Sequence, residues 1–125
     1  MIHLDTSALV AALTGRRPAA ATLRKWIDTG IRPGVCTIVL YEWWRGPRSR
    51  QELTDQETLL PADTAFPFGV REAEIAADIS RRLERVRQRE IDIAIAACAI
   101  AQDAALWTLN PRDFRDIPGL EIAKP

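Results

Sequence analysis

Short apolar runs alternate along the chain with longer segments whose apolar residues recur at helical spacing. The short runs predict strands and the longer segments predict helices. The predicted strands lie at residues 2–4, 35–36, 66–68, 106–108 and 120–122. The predicted helices cover residues 7–13, 18–30, 37–46, 52–60, 70–87 and 91–103. Residues 32–34 are predicted to form a turn, and Thr37 to cap the helix after it. Strands that alternate with helices predict the α/β class, with a mostly parallel sheet covered by helices.

The composition is consistent with an α/β globular domain. The chain has 125 residues, 47% of them hydrophobic, which predicts one globular domain over residues 1–125. No apolar run approaches the ~20 residues of a membrane span, and Asp5 interrupts any leader-like stretch, so a cytoplasmic protein is expected. Cys36 and Cys98 lie in apolar contexts without C-x-x-C spacing, which predicts buried side chains rather than a disulfide framework or a zinc site. His3, the only histidine, is expected to pack in the core.

Four acidic residues stand within or at the ends of apolar runs that lie far apart in the sequence: Asp5, Glu42, Asp92 and Asp113. A carboxylate that adjoins the core is costly unless something neutralises it, and a metal ion is a common compensation where several converge. Ligands of parallel sheets bind beyond the carboxyl ends of the strands, and each of these residues is expected near that edge. The pattern therefore predicts one pocket and a metal-dependent enzyme.

Each acid also has a purely structural alternative. Asp5 and Asp92 both suit helix N-caps, a common role of aspartate. Asp113 suits an Asx-type turn. Glu42 interrupts the apolar segment TIVLYEWW, where its alternative is a buried ion pair with an arginine. The coincidence of all four favours one shared site.

Several sequence pieces together resemble the PIN domain, and within it the VapC-type toxin ribonucleases of VapBC toxin–antitoxin pairs. The pieces are DTSAL, YEWWRG, IDIAIAACA, TLNPRDF and PGLEI, in the family's order and over essentially the entire chain. The resemblance implies a three-layer α/β sandwich with a mostly parallel central sheet flanked by helices. It also implies an acidic site and three supporting polar residues: Asp5, Glu42, Asp92 and Asp113, with Asn110, Ser7 and Thr108.

The resemblance implies a cofactor, a reaction and partners as well. Mg²⁺ or Mn²⁺ is the implied cofactor, because these ions prefer oxygen ligands and retained waters. The implied reaction is hydrolysis of a phosphodiester bond in RNA, tRNA or rRNA, by metal-activated water. The implied partners are a second copy of the chain in a homodimer and a small antitoxin that blocks the acidic pocket.

Arginine carries nearly all the positive charge, although 17 basic residues balance 17 acidic ones. Two groups flank the predicted site: Arg45, Arg48 and Arg50, and Arg81, Arg82, Arg85, Arg87 and Arg89. Guanidinium groups bind phosphates bidentately, which suits a phosphodiester substrate, but a solvated helix face is an equal alternative. Trp43 and Trp44 suit base stacking, and they suit core packing or a partner interface better.

The main functional alternative is a non-catalytic PIN-like module that binds RNA or protein. Phosphoryl-transfer domains are disfavoured. The phosphatase pattern needs a second aspartate where this chain has Ser7, and the receiver pattern needs a late-strand lysine, whereas the lysines here are Lys25 and Lys124.

Overall fold

Three parallel strands form the central sheet of the computed structural model, which describes all 125 residues. β1 (Ile2–Leu4) lies between β2 (Pro33–Gly34) and β3 (Ala105–Trp107). In the register, His3 stands opposite Gly34 on one side and opposite Leu106 on the other. Parallel neighbours need crossover connections, which helices supply here. The predicted α/β class and parallel sheet are confirmed.

Six helices surround the sheet: α1 (Thr6–Leu13), α2 (Arg17–Asp28), α3 (Thr37–Arg45), α4 (Arg50–Leu59), α5 (Val70–Arg82) and α6 (Glu90–Ala101). Two short 3-10 turns lie at Ala62–Thr64 and Pro111–Asp113. α5 packs along α6, and α1 packs against α2 and α3. None of the helices is long and apolar enough to span a membrane.

α6 is the most buried helix, because its sequence is apolar on almost every side. Eight of its twelve residues are buried, and five of those eight are alanine. Such small side chains let α5 and β3 approach α6 closely. Asp92 lies at the start of this helix, so the best-packed element of the fold fixes the backbone that carries it.

The second strand begins earlier than predicted. β2 comprises Pro33 and Gly34, which were expected to form a turn, whereas Val35 and Cys36 continue beyond it. Proline is tolerated because β2 is an edge strand that pairs only with β1. Gly34 packs closely against His3, since a Cβ atom there would stand 3.0 Å from the His3 ring.

Two other predicted strands reduce to single bridges. Phe66 bridges Cys36, and Ile122 bridges Leu106, both in parallel. In the first bridge, the Phe66 amide donates to the Val35 carbonyl at 2.9 Å. Apolar runs of two or three residues predict contact with a sheet, but they do not fix how far the hydrogen-bonded ladder extends.

Most helix boundaries differ from those predicted by one or two residues, and two differences affect the packing. Cys36, not Thr37, occupies the N-cap of α3, and the Thr37 hydroxyl instead accepts a hydrogen bond from the Phe68 amide at 3.2 Å. α5 ends at Arg82 rather than at residue 87. Leu83 and Val86 lie in the loop after α5, but they still pack against the core. Their apolar spacing therefore resembles that of a helix.

The single-residue predictions for the core are confirmed. His3 is 2% exposed, and burial lowers its pKa to about 4, so the ring is neutral beside the ring of Phe66. Cys36 and Cys98 are both buried, free thiols.

Candidate active site

Asp5 lies where β1 ends and caps α1. Its Oδ1 accepts hydrogen bonds from the Ala8 amide at 2.9 Å and from the Ser7 hydroxyl at 2.7 Å. The N-cap alternative is therefore true of Asp5. Both bonds end on Oδ1, so neither occupies Oδ2. The residue is only 5% exposed, and a buried carboxylate with its second oxygen outside these bonds is suited to bind a cation.

The hydroxyls of Ser7 and Thr108 connect the end of β1 with the end of β3. Ser7 Oγ accepts a hydrogen bond from the Leu109 amide at 3.0 Å and lies 3.4 Å from Thr108 Oγ1. Thr108 Oγ1 accepts one from the Asn110 amide, also at 3.0 Å. Ser7 thus orients Asp5, and both hydroxyls hold the turn that leads to Asn110, whose own side chain is exposed.

Glu42 lies in the second turn of α3 and contacts the start of α1. Its Oε1 accepts a hydrogen bond from the Thr6 hydroxyl, next to Asp5 in the chain. Its Oε2 pairs with Arg45 at 3.3 Å, but the Arg45 side chain is 59% exposed. An exposed pair contributes at most about 1 kcal/mol, so the buried ion pair that would explain Glu42 structurally is absent. Glu42 therefore stands beside Asp5 without a buried cation.

Asp92 and Asp113 line one open cleft of about 540 Å³, in which every lining side chain is polar or charged. Asp92 is the third residue of α6, and Arg89 occupies the N-cap, so the N-cap alternative is wrong for Asp92. Asp113 ends the turn Pro111–Asp113 that follows β3, and it is exposed. The structure thus brings together two acids that lie on separate elements.

The electrostatics connect both pairs of acids. Burial and then the negative charges of Asp113, Asp5 and Glu42, in that order, raise the pKa of Asp92 to about 6. Burial also raises the pKa of Asp5, with a smaller contribution from Glu42, against the hydrogen bonds that Asp5 accepts. The four predicted acids therefore form one electrostatic unit around Asp92, whose charged form is disfavoured by burial and by the charges of the other three.

The donor chemistry of this unit fits a hard divalent cation, although the side chains do not form a closed cage. No three Asp, Glu, His or Cys side chains lie close enough together to bind one ion directly. Mg²⁺ commonly binds through one or two carboxylates and keeps several waters. Carboxylate oxygens along a polar cleft meet that requirement, and a cation would offset the burial and the repulsion that together raise the pKa of Asp92.

Comparisons with known proteins identify the family of the chain. The PIN domain family matches residues 2–120. This chain belongs to the PIN-domain family. Ribonuclease VapC of Rickettsia bellii is 40% identical over 124 residues, which are 95% of this chain and 92% of that protein. Ribonuclease VapC19 of Mycobacterium tuberculosis is 32% identical over 127 residues, which cover 94% and 95% of the two chains. The resemblance to the PIN domain is thereby confirmed.

A solved structure shares the same PIN fold. The chain superimposes on VapBC2 from Rickettsia felis, crystallised with a DNA fragment from the promoter, with a TM-score of 0.77. The sequences are 23% identical, and 98% of each chain is covered.

An ion pair that the sequence did not reveal spans the cleft of this PIN domain. Arg89 donates to both carboxylate oxygens of Asp116, at 2.6 and 2.9 Å, and to the Asp113 carbonyl at 3.2 Å. Arg89 is 15% exposed, and its guanidinium lowers the pKa of Asp116. The partners are 27 residues apart, so no local spacing could have signalled the pair. It holds the Asp113 turn against the start of α6.

The two adjacent tryptophans have different environments. Trp43 is fully buried, with the Arg48 guanidinium 4.2 Å from its ring centroid. Trp44 is 50% exposed and donates from Nε1 to Gln56 at 3.2 Å. Trp43 is therefore a core residue, whereas Trp44 remains accessible.

Proposed function

We propose that this PIN domain is a VapC-type endoribonuclease that hydrolyses RNA phosphodiester bonds with Mg²⁺ or Mn²⁺. One observation carries the proposal: four carboxylates from four separate segments form one electrostatic unit, in which the pKa of Asp92 is raised to about 6. Such a concentration of negative charge beside the core is unfavourable without a cation. Relatives named ribonuclease VapC, similar over nearly the whole chain, support RNA as the substrate.

The proposed cation ligands are Asp5, Glu42, Asp92 and Asp113, some of them acting through water. When bound, a divalent ion polarises the scissile phosphate and lowers the pKa of coordinated water. Ser7 supports this site by holding Asp5 Oδ1, which leaves Oδ2 to the cation.

Two supporting residues follow β3. Thr108 and Asn110 shape the turn on which the reacting phosphate would rest. In this proposal, tRNA or rRNA is the substrate class.

The proposed protein partners are a cognate antitoxin and a second copy of the chain. The antitoxin is supported by the fold shared with toxin–antitoxin complexes, such as the one from Klebsiella pneumoniae, with a TM-score of 0.75. An antitoxin side chain of positive charge, placed between Asp92 and Asp113, would compete with the metal ion for the same carboxylates.

The test is cleavage of a mixed tRNA and rRNA preparation by the purified protein. Parallel reactions contain Mg²⁺ or Mn²⁺, EDTA, or the Asp92→Asn variant. Discrete fragments that require both the metal and Asp92 are the expected result. Cleavage that persists in EDTA, or in the variant at the parental rate, would contradict the proposal.

One observation favours a second candidate function, a non-catalytic module that binds RNA or protein. No three acidic side chains lie within direct reach of one ion. Calorimetric titration with Mn²⁺ separates the two functions: the enzyme requires saturable binding that is lost in Asp92→Asn, whereas the module requires none.

A further inference from the structure

The arginines around the acidic cleft fall into two classes according to whether they have a partner. The cleft is lined by four arginines and four acids: Arg85, Arg89, Arg112 and Arg115, with Glu84, Asp92, Asp113 and Asp116. Arg89 is engaged by Asp116 through two charge-assisted hydrogen bonds. None of the four ion pairs in the structure includes Arg85, Arg112 or Arg115, and all three residues are exposed.

The charge balance of the cleft favours an anionic ligand once the metal is considered. Arg89 neutralises Asp116, and the proposed cation neutralises Asp92 and Asp113. Glu84 is then the only lining acid left to oppose three unpaired guanidinium groups. Arg85 lines the cleft, and after the larger effect of Arg89 its charge also contributes to the lowered pKa of Asp116.

The cleft shares lining residues with two further grooves, and the unpaired arginines are among the shared residues. Arg85 also lines a groove of about 630 Å³ that extends to Arg87. Arg112 and Arg115 also line a second groove, of about 330 Å³, that reaches Asn110. The cleft and the two grooves together form an open track that contains the acids and the unpaired guanidinium groups.

We propose that Arg85, Arg112 and Arg115 bind backbone phosphates of single-stranded RNA on both sides of the scissile bond, with Arg85 on one side and Arg112 and Arg115 on the other. This inference rests on the proposed ribonuclease function. Planar guanidinium groups bind phosphate oxygens bidentately without reading the base, so these contacts position the strand rather than select its sequence. Arg89 has no part in this contact, because Asp116 holds it.

Three arginines of helix α5 provide an internal control. Arg81 and Arg82 both pair with Asp78 on α5, at 3.5 Å. Arg71 is exposed near the start of the same helix. None of these three lines the cleft or the two grooves that adjoin it. A triple Arg→Gln variant at these positions changes the net charge of the protein as much as a triple variant of the cleft arginines.

The test measures RNA binding without cleavage, in the Asp92→Asn background without added metal. The substitution itself removes one negative charge from the cleft, so that three unpaired guanidinium groups face only Glu84 and Asp113. The probe is a 20-nucleotide fluorescein-labelled RNA of mixed sequence without secondary structure, and its anisotropy is followed from 50 to 300 mM NaCl. Each phosphate contact on a single strand contributes ~0.7 to the slope of log Kd against log salt. The variant Arg85→Gln/Arg112→Gln/Arg115→Gln should therefore lose about 2 from that slope and bind more than about tenfold more weakly at 100 mM salt. The control Arg71→Gln/Arg81→Gln/Arg82→Gln should keep the slope of the background protein.

Three outcomes would overturn the proposal: an unchanged slope in the cleft variant, an equal loss in the control variant, or no RNA binding by the background protein. Melting temperatures of both triple variants exclude misfolding, which is not expected for exposed side chains. Failure of the proposed function would appear separately, as missing metal-dependent cleavage by the parental protein. A slope lost only in the cleft variant would then still assign the track as an RNA-binding surface.

Discussion

Two halves of the acidic site are built in different ways. The fixed half comprises Asp5 and Glu42, whose carboxylates accept hydrogen bonds from Ser7, Ala8 and Thr6 beneath the sheet edge. The open half comprises Asp92 and Asp113, which line a polar cleft. Neither of these carboxylates accepts a hydrogen bond from a neighbouring hydroxyl or amide. In the fixed half, neighbouring side chains set the geometry. In the open half, helix α6 carries Asp92, and Arg89 holds the backbone of Asp113 through its bonds to Asp116 and to the Asp113 carbonyl.

The fixed half is preorganised for binding a cation, whereas the open half is accessible to a substrate. A buried, hydrogen-bonded carboxylate keeps its orientation whether or not a ligand is present, which lowers the cost of binding a cation. Asp92 is half-buried and Asp113 is exposed, so a cation bound by these carboxylates would be accessible to a phosphate in the cleft. We expect the fixed half to respond to changes in hydrogen bonding, and the open half to respond to changes in charge.

Removal of a charge from the open half should have the largest effect. Asp92→Asn keeps the shape of the side chain but removes one proposed ligand. Metal-dependent RNA cleavage should fall by about 10³-fold or more, because a bound ion is worth several kcal/mol and each ~1.4 kcal/mol is tenfold in rate. Initial cleavage rates at saturating Mg²⁺ measure the loss. The control is Asp103→Asn, an exposed acid just past the other end of α6, which should retain the parental rate. Equal losses of the cleavage rate in both variants would show that Asp92 has no special role in cleavage.

A change of hydrogen bonding in the fixed half should have the next largest effect. Ser7→Ala removes the donor to Asp5 Oδ1 and the acceptor of the Leu109 amide. Loss of a side chain that orients a metal ligand typically costs about 10–100-fold in metal affinity or activity. Mn²⁺ titration calorimetry of Ser7→Ala and of Ser7→Thr, which restores a hydroxyl, tests this. Parental affinity in Ser7→Ala would show that Asp5 does not depend on the bond.

The pH dependence of stability should distinguish an acid of the open half from an ordinary surface acid. Folding raises the pKa of Asp92 from 3.8 to about 6, so the folded state binds this proton more tightly than the unfolded state does. The resulting stabilisation is fully present below about pH 4 and is lost as the pH rises through about 6. Without metal, Asp92→Asn should therefore melt at a higher temperature than the parental protein at pH 7.5, and the difference should shrink towards pH 4.

Circular dichroism melts in EDTA from pH 4 to 8 measure this difference. Asp103→Asn is the matched control, and it should show no such trend. A parental protein that is at least as stable as Asp92→Asn at pH 7.5 would contradict the crowding of charge that we infer.

The smallest effect should come from the exposed ion pair of Glu42. Arg45→Gln removes a partner that is 59% exposed and stands 3.3 Å from Oε2. The free energy of unfolding should change by less than about 1 kcal/mol, as is usual for exposed pairs. Urea denaturation measures this change. A larger loss would mean that Glu42 depends on Arg45, and that the pair is structural after all.

The places of the acids in the fold could be predicted from the sequence better than the contacts around them. Asp5, Asp92 and Asp113 adjoin apolar runs long enough to be recognised, and the order of strands and helices placed them at one sheet edge. Glu42 was conspicuous because it interrupts an apolar segment, and its buried ion-pair alternative is removed by the exposure of Arg45.

The features that sequence reasoning missed depend on contacts between distant segments. The Arg89–Asp116 pair joins residues 27 positions apart, and the position of β2 depends on the fit of Gly34 against His3. Helix α5 ends at Arg82, before Leu83. Leu83 nevertheless packs against the core from the loop that follows, so its apolar spacing suggested a longer helix. Periodicity reports which side chains are buried, but it does not report the backbone conformation that buries them.

The most direct test of one shared cation site is a crystal structure of the protein soaked with Mn²⁺, with anomalous diffraction recorded to locate the ion. We expect an anomalous peak between Asp5 Oδ2 and the carboxylates of Asp92 and Asp113, with water completing the coordination of the ion. An ordered site elsewhere, or no peak between these carboxylates at saturating Mn²⁺, would contradict the claim that the two halves form one metal centre.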